Sequence, residues 1–174
     1  MTGHLKSVQG MEDVVQEKIR KEVVAGRVVG LFSDPSVPRL RVSLLGIVSQ
    51  KPLCEFRLIH HLSYPAGESV NGRIPQELCT VWYTSFDAAV CMVRACGHGV
   101  EMMKCDIKSA FHLLPVHPAD FELFGFVFDR FYYMDRALPM GCSISHAAFE
   151  CFSFFLEWVF KVQGRDTSCG ALFE

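Results

Sequence analysis

An α+β fold class is predicted for this chain by three observations. Apolar residues recur at helical spacing near both ends, stretches between them alternate as antiparallel strands do, and half of the 174 residues are apolar, enough to bury the core of one domain. The first helix is read in MEDVVQEKIRKEVVAGRVVG, where Val14, Val15, Ile19 and Val23 share a side, acids stand at the start and Gly26 near the stop. LFSDPSVPRLRVSLLGIVSQK is proline-rich at first and then alternates, as a loop running into a strand. CEFRLIHHLSYP alternates again, with Phe56, Leu58 and His60 on one side and Arg57, Ile59 and His61 on the other, so the two stretches make a hairpin turned at Pro52 to Glu55. After the loop SYPAGESVNGRIPQEL, Thr84 or Ser85 caps a helix through FDAAVCMVRAC, which Gly97 and Gly99 end. VEMMKCD reads as a buried strand stopping at Asp106, followed by a short helical turn from Lys108 to Leu114. Two aromatic strands, LFGFVFD and FYYMD, are joined by a tight turn near Asp129 and Arg130. The closing helix carries Phe149, Phe152, Leu156 and Val159 as a buried stripe, with Glu150, Ser153 and Glu157 on its other side. There is no internal repeat and no low-complexity segment.

Net charge is only -2, yet between Arg20 and Arg57 the bases Lys21, Arg27, Arg39, Arg41 and Lys51 outnumber the acids Glu22, Asp34 and Glu55. One local face suits phosphate, and a solvated basic face is the alternative. The eight cysteines have neither a C-x-x-C pair nor a charged and apolar leader before them, so they are expected as reduced core thiols of an intracellular protein, in cytoplasm or nucleus. No apolar run reaches the roughly 20 residues of a membrane span. His60 and His61 are read as structural.

KCDIKSAFHLLPVHP poses the chemical question, because it places a lone carboxylate, Asp106, at the end of an apolar stretch. An acid at a strand end, with the next backbone carbonyl pointing the same way, is a common way to hold a divalent ion. Asp106 and the carbonyl of Ile107 fit that description; taken alone, the local sequence favours an aspartate that caps the following turn. The wider set of motifs reverses the preference. FRLIHHLSYP, YTSFDAAV, KCDIKSAFHLLPVHPADFELFGF and FYYMDRALPMGCSISHAAFE occur in the order and at the spacing of a reverse transcriptase, and the wording resembles retrotransposons of the DIRS type, from about Val14 to Trp158.

What the resemblance implies is an α+β fragment of a right-hand polymerase. An N-terminal helical segment spans residues 1–30, fingers about 31–78 and 114–144, and palm segments about 79–113 and 145–174, with the thumb absent. The family activity is RNA-directed DNA polymerisation with two magnesium ions, an RNA or DNA template-primer and dNTPs. By that resemblance Asp106 is the catalytic aspartate and, with the Ile107 carbonyl, a metal ligand. Phe111 lies under the incoming sugar and excludes a 2′-hydroxyl, Arg57 and its neighbour Lys51 meet the triphosphate, and Met140 and Gly141 of LPMG pack on the nucleotide.

The departures bear on activity. The resemblance implies a Tyr-x-Asp-Asp hairpin near residue 170, whereas this chain reads VFKVQGRDTSCGALFE, in which Asp166 lacks an acidic neighbour and apolar flanks. The chain is therefore expected to be a truncated and inactive polymerase fragment. The alternative is a non-enzymatic nucleic-acid-binding remnant of a retrotransposon polyprotein that uses the basic fingers face alone.

Overall fold

The computed structural model of the chain describes residues 4–35, 37–50, 55–102 and 106–163. Its frame is a five-stranded sheet in the order β1-β5-β4-β2-β3, built from β1 (Val28–Phe32), β2 (Val42–Gln50), β3 (Glu55–His61), β4 (Gly125–Phe128) and β5 (Phe131–Asp135). All neighbours pair antiparallel except β2 and β4, which run parallel through Val42↔Gly125 and Ser43↔Phe126, so the sheet is mixed. Helix α1 (Glu12–Val24) lies on one face, where its stripe of Val15 and Ile19 meets Leu45, Ile47, Phe126 and Tyr133. That face is the main core. Val15 is 0% and Ile19, Leu45, Phe126 and Tyr133 each 1% exposed.

Local chemistry explains most of these elements. Gly26, at φ +73, stops α1 in the left-handed conformation that costs glycine little. The β2–β3 hairpin keeps a straight register from Leu44↔His61 to Gln50↔Glu55, and its turn at 51–54 lies outside the described residues. The alternation read in its sequence holds, since Phe56 and Leu58 pack on the core and His60 is buried. Between β4 and β5, Asp129 and Arg130 both take positive φ, +45 and +68, the geometry a two-residue hairpin needs to match strand twist. Ser85 caps α2 (Phe86–Cys96) by accepting from the Ala88 amide at 3.2 Å. Gly97 ends it at φ +85.

Four expectations need correction. β1 was not foreseen: Val28 to Phe32 read as a helix end and a loop, but they pair with β5 from Val28↔Asp135 to Phe32↔Tyr132, with a bulge at Leu31. The tertiary reason is visible at Gly30, where any Cβ would overlap the Tyr133 ring, so the strand lies flush against it. Next, the VEMMKCD strand does not form in its described part. Val100 to Met102 are irregular, Met102 is 76% exposed, and residues 103–105 lie outside the described set. An isolated strand with no neighbour to bond has nothing to hold it extended.

The third correction concerns α3 (Ser145–Gln163). Phe149, Phe152, Leu156 and Val159 are half-buried, but so are Glu150 and Glu157, while Ser153 is buried at 6%. Phe154, Phe155, Trp158 and Phe160 face solvent. The segment carries more apolar residues than one stripe can hold, and the helix packs mainly on the short 3-10 turns Gln76–Cys79 and Ala110–Leu113, so no single side is sealed. Lastly, Cys96 is disulfide-bonded, and of the free thiols Cys79, Cys91, Cys142 and Cys151, Cys142 is buried while Cys91 and Cys151 are exposed, so the expected set of reduced core thiols holds only in part among the described residues.

Candidate nucleotide site

The centre of the site is the turn that runs from β5 into α3. Leu138 leads into it, with its amide donating to the Leu114 carbonyl at 2.9 Å. The Pro139 carbonyl accepts from the Cys142 amide at 3.4 Å and from the hydroxyl of Ser145 at 3.3 Å, and Ser145, fully buried, begins α3. The turn is thus stitched to the first turn of the helix that follows. It is also stitched to the sheet edge, since the Met140 carbonyl accepts from the His60 amide on β3 at 3.0 Å.

Gly141 explains why this approach is possible. Its φ of +116 belongs to glycine, and a Cβ there would overlap the His60 carbonyl oxygen. Close backbone approach was expected of this glycine, and in the structure what it approaches is strand β3. A Cβ at Gly141 would also lie 3.6 Å from the Ile59 side chain, so Ile59 points to the turn side of the sheet edge. Arg57 is two residues earlier, about 7 Å along the strand, and takes the same face by the alternation of side chains. Phe56 and Leu58 face the core on the other side. Arg57 is exposed opposite Val48, so Arg57, Met140 and Gly141 share one side of the sheet edge. Lys51 lies outside the described residues.

Phe111 sits in the turn Ala110–Leu113, half-buried, with its ring edge-on to His146 at 4.8 Å and to Phe149 at 6.0 Å. It therefore packs on the opening turns of α3, the helix that leaves the Met140–Gly141 turn. The next residue, His112, lies beside α1, with Nδ1 3.5 Å from Glu22 Oε2 and without a hydrogen bond there. Glu22 is itself held by Arg27 at 2.6 Å.

Asp106 is exposed and Ile107 half-buried. The capping alternative for Asp106 is not taken: the residue before the turn is Ser109, in the left-handed region at φ +56, and no side chain caps it. Among the described residues Asp106 has no hydrogen bond or ion pair, so its carboxylate is open to a cation. Among those residues, too, no group of three His, Cys, Asp or Glu side chains is placed to hold a metal. Magnesium takes octahedral oxygen ligation, for which a carboxylate such as Asp106 and a backbone carbonyl such as that of Ile107 are donors of the right chemistry. Asp166 lies outside the described residues.

Two further groups act on the site without having been singled out in the sequence. Asp135 accepts a 2.7 Å bond at Nδ1 of His60, whose Nε2 lies 3.1 Å from the Gly125 carbonyl. The buried imidazole so ties β3 to β4 and β5 and fixes the strand that meets the turn. His60 is structural, as expected. Asn71 follows the buried pair Ser69–Val70 and reaches the turn with Nδ2 2.7 Å from the Gly141 carbonyl. A cleft of about 610 Å³ opens behind the turn, lined by Arg41, Arg73, Leu138, Cys142 and their neighbours. Neither Asp106, Arg57 nor Phe111 lines it. Burial pushes the Cys142 thiol up, opposed by the Ile144 amide and the Ser145 hydroxyl.

Comparison with solved structures gives this architecture relatives. The native protease-reverse transcriptase of prototype foamy virus matches over 89% of this chain, with a TM-score of 0.55 and 18% identity. Its selenomethionine-labelled CSH mutant matches over 84%, with a TM-score of 0.56 and 19% identity. The chain spans 18% and 17% of those two chains. No protein-family model and no curated protein matches it. The fold is reverse-transcriptase-like. No helix among the described residues is long and apolar enough to cross a membrane.

Proposed function

We propose, from this reverse-transcriptase-like fold, that the chain is the fingers and part of the palm of a right-hand polymerase whose activity is RNA-directed DNA synthesis, of the DIRS retrotransposon type, and that by itself it does not extend a primer. The observation that carries the reading is the junction of the Met140–Gly141 turn with β3, which sets Arg57 on the turn side of the sheet edge. In this reading Arg57, with Lys51, meets the triphosphate through a guanidinium fork suited to phosphate oxygens. The Met140–Gly141 turn packs on the base, and the Phe111 ring, braced by α3, limits room beside the sugar. Asp106 and the Ile107 carbonyl hold one side of a two-magnesium site. The second acid has to come from outside the described residues.

A second reading, a nucleic-acid-binding remnant without catalysis, is favoured by the exposure of Arg57 on a sheet edge and by the missing group of three metal ligands among the described residues. Primer extension on an RNA template separates the two. The 174-residue chain is expected to give no extension with magnesium or manganese. A longer chain, with a Tyr-x-Asp-Asp hairpin and thumb supplied after about Thr167, is expected to extend and to lose activity on Asp106→Ala. Extension by the short chain, abolished by Asp106→Ala, would overturn its assignment as an inactive fragment; no extension by the longer chain would leave the binding remnant.

A further inference from the structure

We infer that Asn71 is the positioning residue of the nucleotide-packing turn, a clamp that sets the Gly141 carbonyl and the Ser143 amide on either side of Cys142. The inference rests on the reading of that turn as part of a nucleotide site. Asn71 lies in the 3-10 turn Asn71–Arg73, and its own amide is fixed by the Leu62 carbonyl at 3.0 Å. From there its side chain makes three bonds. Nδ2 donates to the Gly141 carbonyl at 2.7 Å and to Ser63 Oγ at 2.8 Å, and Oδ1 accepts from the Ser143 amide at 2.9 Å. The orientation of the amide follows from its partners, because a carbonyl only accepts and a backbone amide only donates.

No other residue of the twenty offers this pairing at this length. Aspartate has the shape and the acceptor but sets a negative oxygen against the Gly141 carbonyl. Glutamine has the amide but is one methylene too long, and alanine leaves both backbone groups unpaired. Through Leu62 and Ser63 the bonds tie the turn to the segment that continues β3. On β3 itself the Met140 carbonyl is held by the His60 amide at 3.0 Å, so the turn is held at two successive points of one run of chain. Without the side chain, the β3 hold, the bonds at Pro139, the 3.2 Å bond from the Ser145 amide to the Cys142 carbonyl and the 3.4 Å contact of Cys79 Sγ with Ser143 Oγ remain, but none of them holds the Gly141 carbonyl or the Ser143 amide. Cys142 reports on this directly. It is 3% exposed and sits between the two clamped residues, whereas Cys91 and Cys151 are exposed.

The test uses the 174-residue chain, alkylated with iodoacetamide and read by mass spectrometry site by site, alongside binding of dGTP and of a primer–template. In the parent protein Cys91 and Cys151 should react first and Cys142 slowest. Asn71→Ala, and the isosteric Asn71→Asp as a variant that keeps the side-chain shape, should speed Cys142 alkylation at least about tenfold relative to Cys91 and weaken dGTP binding more than primer–template binding. Ile19→Val, which loosens the main core, should leave both ratios unchanged, so a general loss of stability does not imitate the result. Cys142 as protected in folded Asn71→Asp as in the parent would overturn the clamp. Faster alkylation with dGTP binding unchanged would overturn its role in nucleotide positioning. Faster alkylation in a protein whose parent binds no dGTP at all would keep the clamp and overturn the nucleotide site beneath it.

Discussion

The sheet under α1 and the two outlying pieces, residues 82–96 and α3, all carry aromatic residues, yet they treat them oppositely. In the first, Phe126 and Tyr133 stack at 5.2 Å and are each 1% exposed, closed over by Val15 and Ile19. In the second, Trp82 is 87%, Phe86 81% and Trp158 59% exposed. Hydrophobicity does not explain the difference; the number of elements that converge does. The sheet has a helix on one face and five paired strands, while α2 has no buried residue and α3 packs mainly on short 3-10 turns. The candidate site lies where the two regions join, at the turn that leaves the sheet and begins α3. Its sheet-side residues are firmly placed by backbone pairing, and Asp106, on the other side, is exposed.

Substitutions measure that contrast, beginning with the core. Phe126→Ala empties the centre of the sheet face and should cost about 3–5 kcal/mol in urea unfolding. Gly141→Ala strikes the junction, combining an unfavourable φ with overlap on the His60 carbonyl, and should cost about 2–4 kcal/mol. If Gly141→Ala were neutral, the turn would not rest on β3 as described. Alkaline pH gives a smaller effect. Burial raises both the Cys142 thiol and the Tyr133 phenol, so each contributes stability that is fully present below its unfolded value and is lost as pH rises toward the folded one. The urea midpoint should therefore fall above roughly pH 8.5, the ordinary thiol value, and Cys142→Ala should remove the earlier part of that fall. Smallest of all, Trp158→Ser on the exposed side of α3 should stay within about 0.5 kcal/mol. A cost comparable to that of Phe126→Ala would mean that α3 packs as tightly as the sheet does.

Legibility follows the same division. The β2–β3 and β4–β5 hairpins, α1 and the Ser85 cap were readable because their signals are local: alternation, helical spacing, a cap three residues from its partner. β1 was hidden because Val28 to Phe32 become a strand only by pairing with β5, more than a hundred residues on. The failure of VEMMKCD as a strand in its described part has the inverse cause, a good apolar pattern with no neighbour to bond. For the site, Arg57, Phe111, Met140 and Gly141 were named from motifs, and the turn's contact with β3 brings Met140 and Gly141 beside the strand that carries Arg57. Asn71 was not. Its partners at Gly141 and Ser143 are 70 and 72 residues away, and an asparagine before a glycine reads as an ordinary turn. Asp135 was missed likewise, since its partner His60 is 75 residues distant.

In the proposed function a phosphate-binding face lies on the turn side of the sheet edge, with Arg57 at its centre, and fluorescence anisotropy of a labelled primer–template across a range of salt measures it. Arg20 supplies the control, because it lies on α1, against the other face of the sheet, and is paired with Glu17 at 2.7 Å. Binding is expected to be salt-sensitive, to weaken in Arg57→Ala with the slope of log K against log salt shallower by about one unit, and to stay unchanged in Arg20→Ala. Equal affinity and slope for Arg57→Ala and the parent protein would contradict it.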